Sequence, residues 1–113
     1  MKCITRLIFL DDADQKFFGE GPYRLLKRLD ETGSLKGAAD EMGMAYTKAL
    51  KLLKQAENAL GFKLTERRTG GAMGGGSRLT PEGREWIGKY ERYREACIKA
   101  NSELYMAFFE GSR

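Results

Sequence analysis

The chain has 113 residues, 42% of them apolar or aromatic, which suits the core of one domain and leaves no room for a second of ordinary size. Its 20 basic and 16 acidic side chains give a net charge of +4 and an isoelectric point of about 9.1, a balance that favours polyanionic partners or simply solubility. Histidine is absent, which excludes His-based acid–base catalysis, Ser-His-Asp triads and His-ligated metal sites.

In chain order, Cys3 to Leu10 is rich in β-branched and large apolar residues and is expected to be a strand. It follows Met1 and Lys2 directly, has no small-residue cleavage site, and falls well short of the roughly 18 apolar residues of a membrane span, so a soluble, cytoplasmic protein is expected. Asp11 to Asp14 breaks the strand, and Phe17-Phe18 is a short return strand, making residues 1–21 a β-hairpin. Cys3 and Cys97 show neither C-x-x-C spacing nor the density of a disulfide scaffold, and both are expected to be reduced and buried.

From Pro22 to Glu31, Leu25, Leu26 and Leu29 form one face of an amphipathic helix that Thr32-Gly33 ends. Ser34 is a suitable N-cap for a short helix from Leu35 to Met42, which Gly43 stops with a left-handed turn. A third helix from Ala45 to Leu60 sets Ala45, Ala49, Leu53, Ala56 and Leu60 on a core stripe. Its opposite face carries Thr47, Lys51, Lys54 and Asn58, with Lys48 on the flank and Tyr46 near the boundary. A short helix, a Gly-containing turn and a longer helix with a basic outer face is the helix-turn-helix pattern, whose second helix enters the DNA major groove. By itself the same pattern equally describes a solvated lysine face on an ordinary core helix.

Charge is uneven along the chain: residues 1–43 sum to −1, residues 44–80 to +5 and residues 81–113 to 0. A basic middle third between neutral flanks is the form a phosphate-binding footprint takes in sequence, although chance clustering produces it too. Within that third, Lys63 to Thr69 and Ser77 to Thr80 are expected strands, separated by a tract in which five of the seven residues from Gly70 to Gly76 are glycine. This is a hairpin with a flexible tip, flanked by Arg67, Arg68 and Arg78, and its functional reading is a wing along DNA. Gly70 to Ser77 also fits a P-loop outline, but Gly76 stands where the phosphate-binding lysine is needed and a strand follows instead of a helix. Gly71 to Gly74 matches the short G-x-x-G of a KH loop, a pattern that belongs between two helices.

Pro81-Glu82-Gly83 opens a long helix to about Phe109, with Trp86, Tyr90, Tyr93, Cys97, Ala100 and Leu104 spaced alternately by four and three. Ile87, Ile98, Tyr105 and Phe109 lie to one side. So much apolar surface points to a dimer partner, with Trp86, Tyr90, Tyr93, Cys97 and Leu104 as the interface; packing of the aromatic residues on their own domain is the alternative.

Gly33-Ser34-Leu35-Lys36-Gly37-Ala38-Ala39, Leu60-Gly61-Phe62-Lys63-Leu64-Thr65-Glu66-Arg67 and Leu79-Thr80-Pro81-Glu82-Gly83 resemble the winged helix-turn-helix of LysR-type regulators. Glu66-Arg67-Arg68-Thr69-Gly70-Gly71, then Gly74-Gly75-Gly76 and Leu79-Thr80, resemble more narrowly the N-terminal DNA-binding domain of the molybdate-responsive ModE family, over roughly residues 19–93. The resemblance implies a prokaryotic, sequence-specific DNA-binding homodimer on a pseudo-palindromic operator, with the third helix as reader and the long helix as dimer arm. By position it puts Ala45, Tyr46, Thr47, Lys48, Leu50 and Lys51 at the front of the reader, with Lys36, Arg67, Arg68 and Arg78 on phosphates. ModE regulators sense molybdate through a separate β-rich domain, and a chain ending after its long helix is not expected to bind molybdate.

The expected fold is therefore α+β and mainly helical: a winged helix-turn-helix with an N-terminal β-hairpin (1–21), a three-helix core (22–61), a wing (62–80) and a long C-terminal dimerisation helix (81–113). No catalytic residue, metal or cofactor is expected, because no paired carboxylates, reactive cysteine setting or ligand cluster is present. A winged-helix module that binds another protein through Trp86, Tyr90 and Tyr93 is the alternative to a DNA-binding regulator.

Overall fold

Leucines at 25, 26 and 29 are each no more than 1% exposed and hold the first helix against everything that follows. A computed structural model describes residues 1–68 and 76–111. The chain begins with two short antiparallel strands, β1 (Phe9–Leu10) and β2 (Lys16–Phe18), joined by a turn in which Asp14 takes the left-handed conformation. Three helices follow: α1 (Glu20–Thr32), α2 (Leu35–Glu41) and α3 (Tyr46–Leu60). A second antiparallel pair, β3 (Thr65–Arg68) with β4 (Gly76–Leu79), leads into α4 (Pro81–Tyr105), which continues in a wider π-helical turn over Met106–Glu110.

The helix ends carry the signals expected of them. Gly33, at φ 74°, closes α1 by donating its amide to the Leu29 carbonyl, and the Ser34 hydroxyl caps α2 by accepting from the Gly37 amide at 2.9 Å. Thr80 caps α4 in the same way, accepting from the Gly83 amide at 2.8 Å while its hydroxyl donates to the Lys63 carbonyl at 2.6 Å. That side chain ties the end of the wing to the start of the long helix. Several bounds differ from those expected. Helix α1 opens earlier, at Glu20, with Pro22 inside its first turn; α3 begins at Tyr46, with Ala45 as an exposed N-cap, so its buried stripe starts at Ala49.

The largest departure lies at the N-terminus. Cys3 to Leu10 reads as a strand, yet only Phe9 and Leu10 are paired, because β2 is three residues long and offers nothing to the residues before them. The preceding segment lies along α4: Asn101 donates to the Thr5 hydroxyl at 2.8 Å and the Tyr105 hydroxyl to the Met1 carbonyl at 2.8 Å. Cys3 is exposed and Cys97 partly so, which corrects the expectation that both are buried; both are free thiols. The expected glycine-rich tip, residues 70–75, lies outside the described residues.

Helix α4 is fastened to the domain by aromatic rings and ion pairs. Tyr90 is 2% exposed and packs on Phe18 and Tyr23, with ring centroids 5.0 and 4.9 Å away. Trp86 sits edge-on to Phe9 at 5.5 Å and to Phe18 at 5.3 Å. Around them, Arg94 pairs with Glu20, Lys27 with Glu91 at 3.2 Å, and Arg84 with Asp30 at 3.1 Å, so α1 and α4 are linked along their length. Beyond this attachment α4 projects outward, giving extents of 63 × 31 × 26 Å and a radius of gyration of 17.0 Å. A compact chain of this length has a radius of about 13 Å.

The Tyr23 hydroxyl donates to the Glu91 carboxylate. Burial, and then this bond, push the Tyr23 phenol up to about 12, while the same bond and Lys27 hold Glu91 below the usual carboxylate range. A carboxylate depressed in the folded state stabilises it above its unfolded pKa, and that contribution disappears as pH falls through the depressed value. Glu91→Gln should therefore lower stability in urea titrations at pH 7, and its difference from the wild type should shrink towards zero in acid. The Tyr23 contribution has the opposite sense: it is complete below pH ~10 and lost as pH rises through about 12.

Candidate nucleic-acid interface

Helices α2 and α3 meet through a tight turn. The Met44 amide donates to the Ala39 carbonyl at 2.9 Å, and Gly43, at φ 64°, supplies the left-handed residue that reverses the chain. Ala38, Ala39, Ala49, Leu53 and Ala56 are buried; the alanines among them let the two helices approach closely. That packing turns the opposite face of α3 outward, leaving Thr47, Lys48, Lys51 and Lys54 exposed. Among the described residues, Lys48, Lys51 and Lys54 have no acidic partner. Tyr46, at the first turn of α3, is 49% exposed. Leu50 is placed differently from the reader position expected of it: it is partly buried and packs against the core.

The wing is attached beside this face. In β4 the Ser77 amide donates to the Gly33 carbonyl at 2.8 Å, which fastens the second pair of strands to the α1–α2 turn. Between the wing and the helices lies a cleft of about 290 Å³ where Lys36, Tyr46 and Arg67 come together with Ser34 and Ser77. In the sequence Ser34 reads as a helix cap and Ser77 as a strand residue at the end of a failed P-loop outline, and neither reads as a cleft residue. Their place in the cleft follows from the docking of β4 on Gly33, which no local pattern announces.

The four cationic candidates flanking the reader are not equivalent. Arg67 is exposed, opens on the cleft and has no ion pair among the described residues. The Arg78 guanidinium is held by Glu66 at 2.8 Å across the β3–β4 pair, which offsets its charge. Lys36 stands 3.6 Å from Asp40 on one exposed helix face, a pairing worth little in water. Arg68 folds back, its guanidinium lying close to both Gly33 and Gly76 where the wing meets the α1–α2 turn.

Of the five residues expected at a dimer interface, the structure places Tyr90 inside its own domain and leaves Trp86 half-buried. Tyr93 and Leu104 are 55% and 58% exposed, and Cys97 is partly exposed on the same helix. No helix among the described residues is long and apolar enough to cross a membrane.

A short second helix, a glycine turn, a basic third helix and an adjoining two-stranded wing define a winged helix-turn-helix protein. Residues 22–84 match the bacterial regulatory helix-turn-helix proteins of the lysR family, more than half of the chain, and the chain belongs to that family. It is 43% identical over 77 residues to the molybdenum transport protein ModE of Herbaspirillum seropedicae, covering 68% of this chain and 27% of the relative. It is 33% identical over 88 residues to the molybdenum-pterin-binding protein MopB of Rhodobacter capsulatus, covering 78% and 31%. With the DNA-binding transcriptional dual regulator ModE of Escherichia coli K12 it shares 35% identity over 88 residues, covering 76% and 33%. The chain thus spans about a quarter to a third of the length of these curated relatives.

The docking of the wing depends on Gly76, where a Cβ would lie 2.5 Å from the Gly33 carbonyl oxygen. That atom is backbone and cannot swing aside. Gly76→Ala should cost about 1–3 kcal/mol as an overpacking substitution, read as a lowered Tm. Arg67→Ala, at an exposed residue without a partner among the described residues, should leave Tm unchanged.

Proposed function

We propose that this protein is a sequence-specific, DNA-binding transcriptional regulator that acts as a homodimer on a pseudo-palindromic operator. The observation that carries the reading is the outer face of α3, where Lys48, Lys51 and Lys54 project without acidic partners among the described residues, beside the cleft that Arg67 and Lys36 line. Cations left unpaired on the exposed face of a helix are available to phosphates and guanine edges, which accept from lysine in the major groove. In this reading Ala45, Tyr46, Thr47, Lys48 and Lys51 form the approach to the bases, and Leu50 supports them from the core side. Arg67 and Lys36 bind phosphate; Arg78 does so once Glu66 releases it, and Arg68 chiefly positions the wing.

The arm α4 joins two copies through Tyr93, Cys97 and Leu104, with Trp86 at the edge and Tyr90 supporting from within. Two-fold symmetry then presents two α3 helices to successive turns of one DNA face. The proposed activity is binding, with no catalytic step, in the cytoplasm of a prokaryote, and molybdate binding is not assigned to residues 1–113.

Binding of the purified protein to DNA upstream of its own gene and to scrambled DNA of equal length, over a salt series and with mass measured in the same samples, tests this. Tight, selective binding by a dimer is expected, weakening by about three to five decades between 50 and 200 mM salt if six to ten phosphates are contacted. Lys51→Ala should cost about 1–3 kcal/mol on the selected sequence, and Arg67→Ala should weaken all sequences alike while lowering the salt slope by about 1. Equal, weak binding to both DNAs would overturn this reading and leave a winged-helix module that binds protein through its exposed arm.

A further inference from the structure

Residues 3–8 have the composition of a strand, yet none of them is paired as one. Thr5, Leu7 and Phe9 are partly buried, whereas Ile4, Arg6, Ile8 and Leu10 are exposed, an alternation with the period of a strand. Thr5 and Met1 are pinned to Asn101 and Tyr105, and Phe9 to Trp86, so the segment runs antiparallel to α4 along the arm. Strand pairing in the protomer begins only at Phe9. On the outward row, Ile4 is 69%, Ile8 54% and Leu10 53% exposed. An unpaired edge carrying β-branched apolar residues is a template for one more strand.

We propose that this segment pairs antiparallel with the same segment of a second copy, so that the two N-terminal hairpins join into one four-stranded sheet across the dimer axis. The proposal rests on the homodimer reading above and adds the element that forms the junction. Charge selects both the partner and the direction. The segment is basic at its start, with the Met1 amine, Lys2 and Arg6, and acidic at its end, with Asp11, Asp12 and Asp14. A parallel pairing stacks like charges throughout. An antiparallel pairing about a two-fold axis at Leu7 sets Ile4 opposite Leu10 of the partner subunit and brings Lys2 towards the partner's acidic turn. An axis perpendicular to the strands also keeps both α4 helices on one side of the new sheet, antiparallel and adjacent. Strand pairing and contact between the arms are thereby satisfied by a single symmetry operation. A two-stranded junction alone is marginal in water, and the arms supply the packing that supports it.

Hydrogen–deuterium exchange of the full chain at concentrations below and above its dimer dissociation constant, with mass from sedimentation, separates the outcomes. Within residues 4–8, the alternate amides that point towards the new strand should exchange at least tenfold more slowly in the dimer than in the monomer. Ile4→Asp, which would face Leu10 of the partner subunit beside its acidic turn, should weaken dimerisation at least tenfold and leave the monomer's Tm unchanged. Leu104→Asp, which breaks the contact between arms, should yield a monomer whose amides 4–8 exchange freely. A stable dimer in which those amides exchange as fast as in the monomer, or which tolerates Ile4→Asp, overturns the strand junction and leaves the homodimer standing. A chain that is monomeric at every concentration overturns both.

Discussion

Phe18 and Tyr90, face to edge at 5.0 Å, stand where the N-terminal hairpin, α1 and the long helix converge, and both side chains are almost wholly buried. Because Phe18 ends β2 and Tyr90 lies in the third turn of α4, this contact binds the first and last elements of the chain to the leucines of α1. The helix-turn-helix is held from the side opposite its basic face. Aromatic rings are well suited to such a junction, since each buries a large area with few rotatable bonds and their edge-to-face geometry restricts how α4 can rotate against α1. The surrounding pairs, Glu20 with Arg94, Lys27 with Glu91 and Asp30 with Arg84, then set the helix along its axis.

That orientation has an electrostatic consequence. Glu20, Asp30 and Glu91 are engaged with cations of α1 and α4, away from the outer face of α3. The lysines of that face lack such partners among the described residues, and their field is left open towards solvent. A net charge of +4 would be unremarkable if evenly spread. Concentrated on the outer face of α3 and the wing beside it, it gives an uneven field of the kind that attracts polyanions. The wing shows the same sorting on a smaller scale, with Arg67 outward, Arg78 offset by Glu66 and Arg68 folded onto the turn.

The arm has a different character. The half of α4 nearest the domain is covered by rings from the hairpin and α1, while the farther half has the N-terminal residues 1–8 beside it. An amphipathic helix with Tyr93 and Leu104 exposed, held on one side and open on the other, is what the proposed homodimer would use. The same asymmetry explains why a heptad-like seam overstates what a partner can reach. Periodicity identifies which residues share a stripe, and the folded chain decides which part of that stripe its own residues cover.

Helix identity, caps and the boundary between α2 and α3 were legible in the residues because each depends on neighbours within four positions: the leucines of α1, Ser34 as a cap, and Gly33 and Gly43 as stops. The basic face of α3 was legible for the same reason, since helical geometry alone assigns Lys51 and Ala49 to different sides. What the sequence could not show depends on contacts between distant segments. Cys3 to Ile8 has the propensity of a strand, but pairing needs a partner edge, and the three residues of β2 do not supply one. Arg67, Arg68 and Arg78 look alike as letters. Only the tertiary structure made one a cleft residue, laid one against Gly33 and Gly76 and made one the partner of Glu66. The sequence by itself determined local conformation and the placement of charge on a helix; the tertiary structure decided burial and the pairing of charges, because both are properties of residues far apart in the chain.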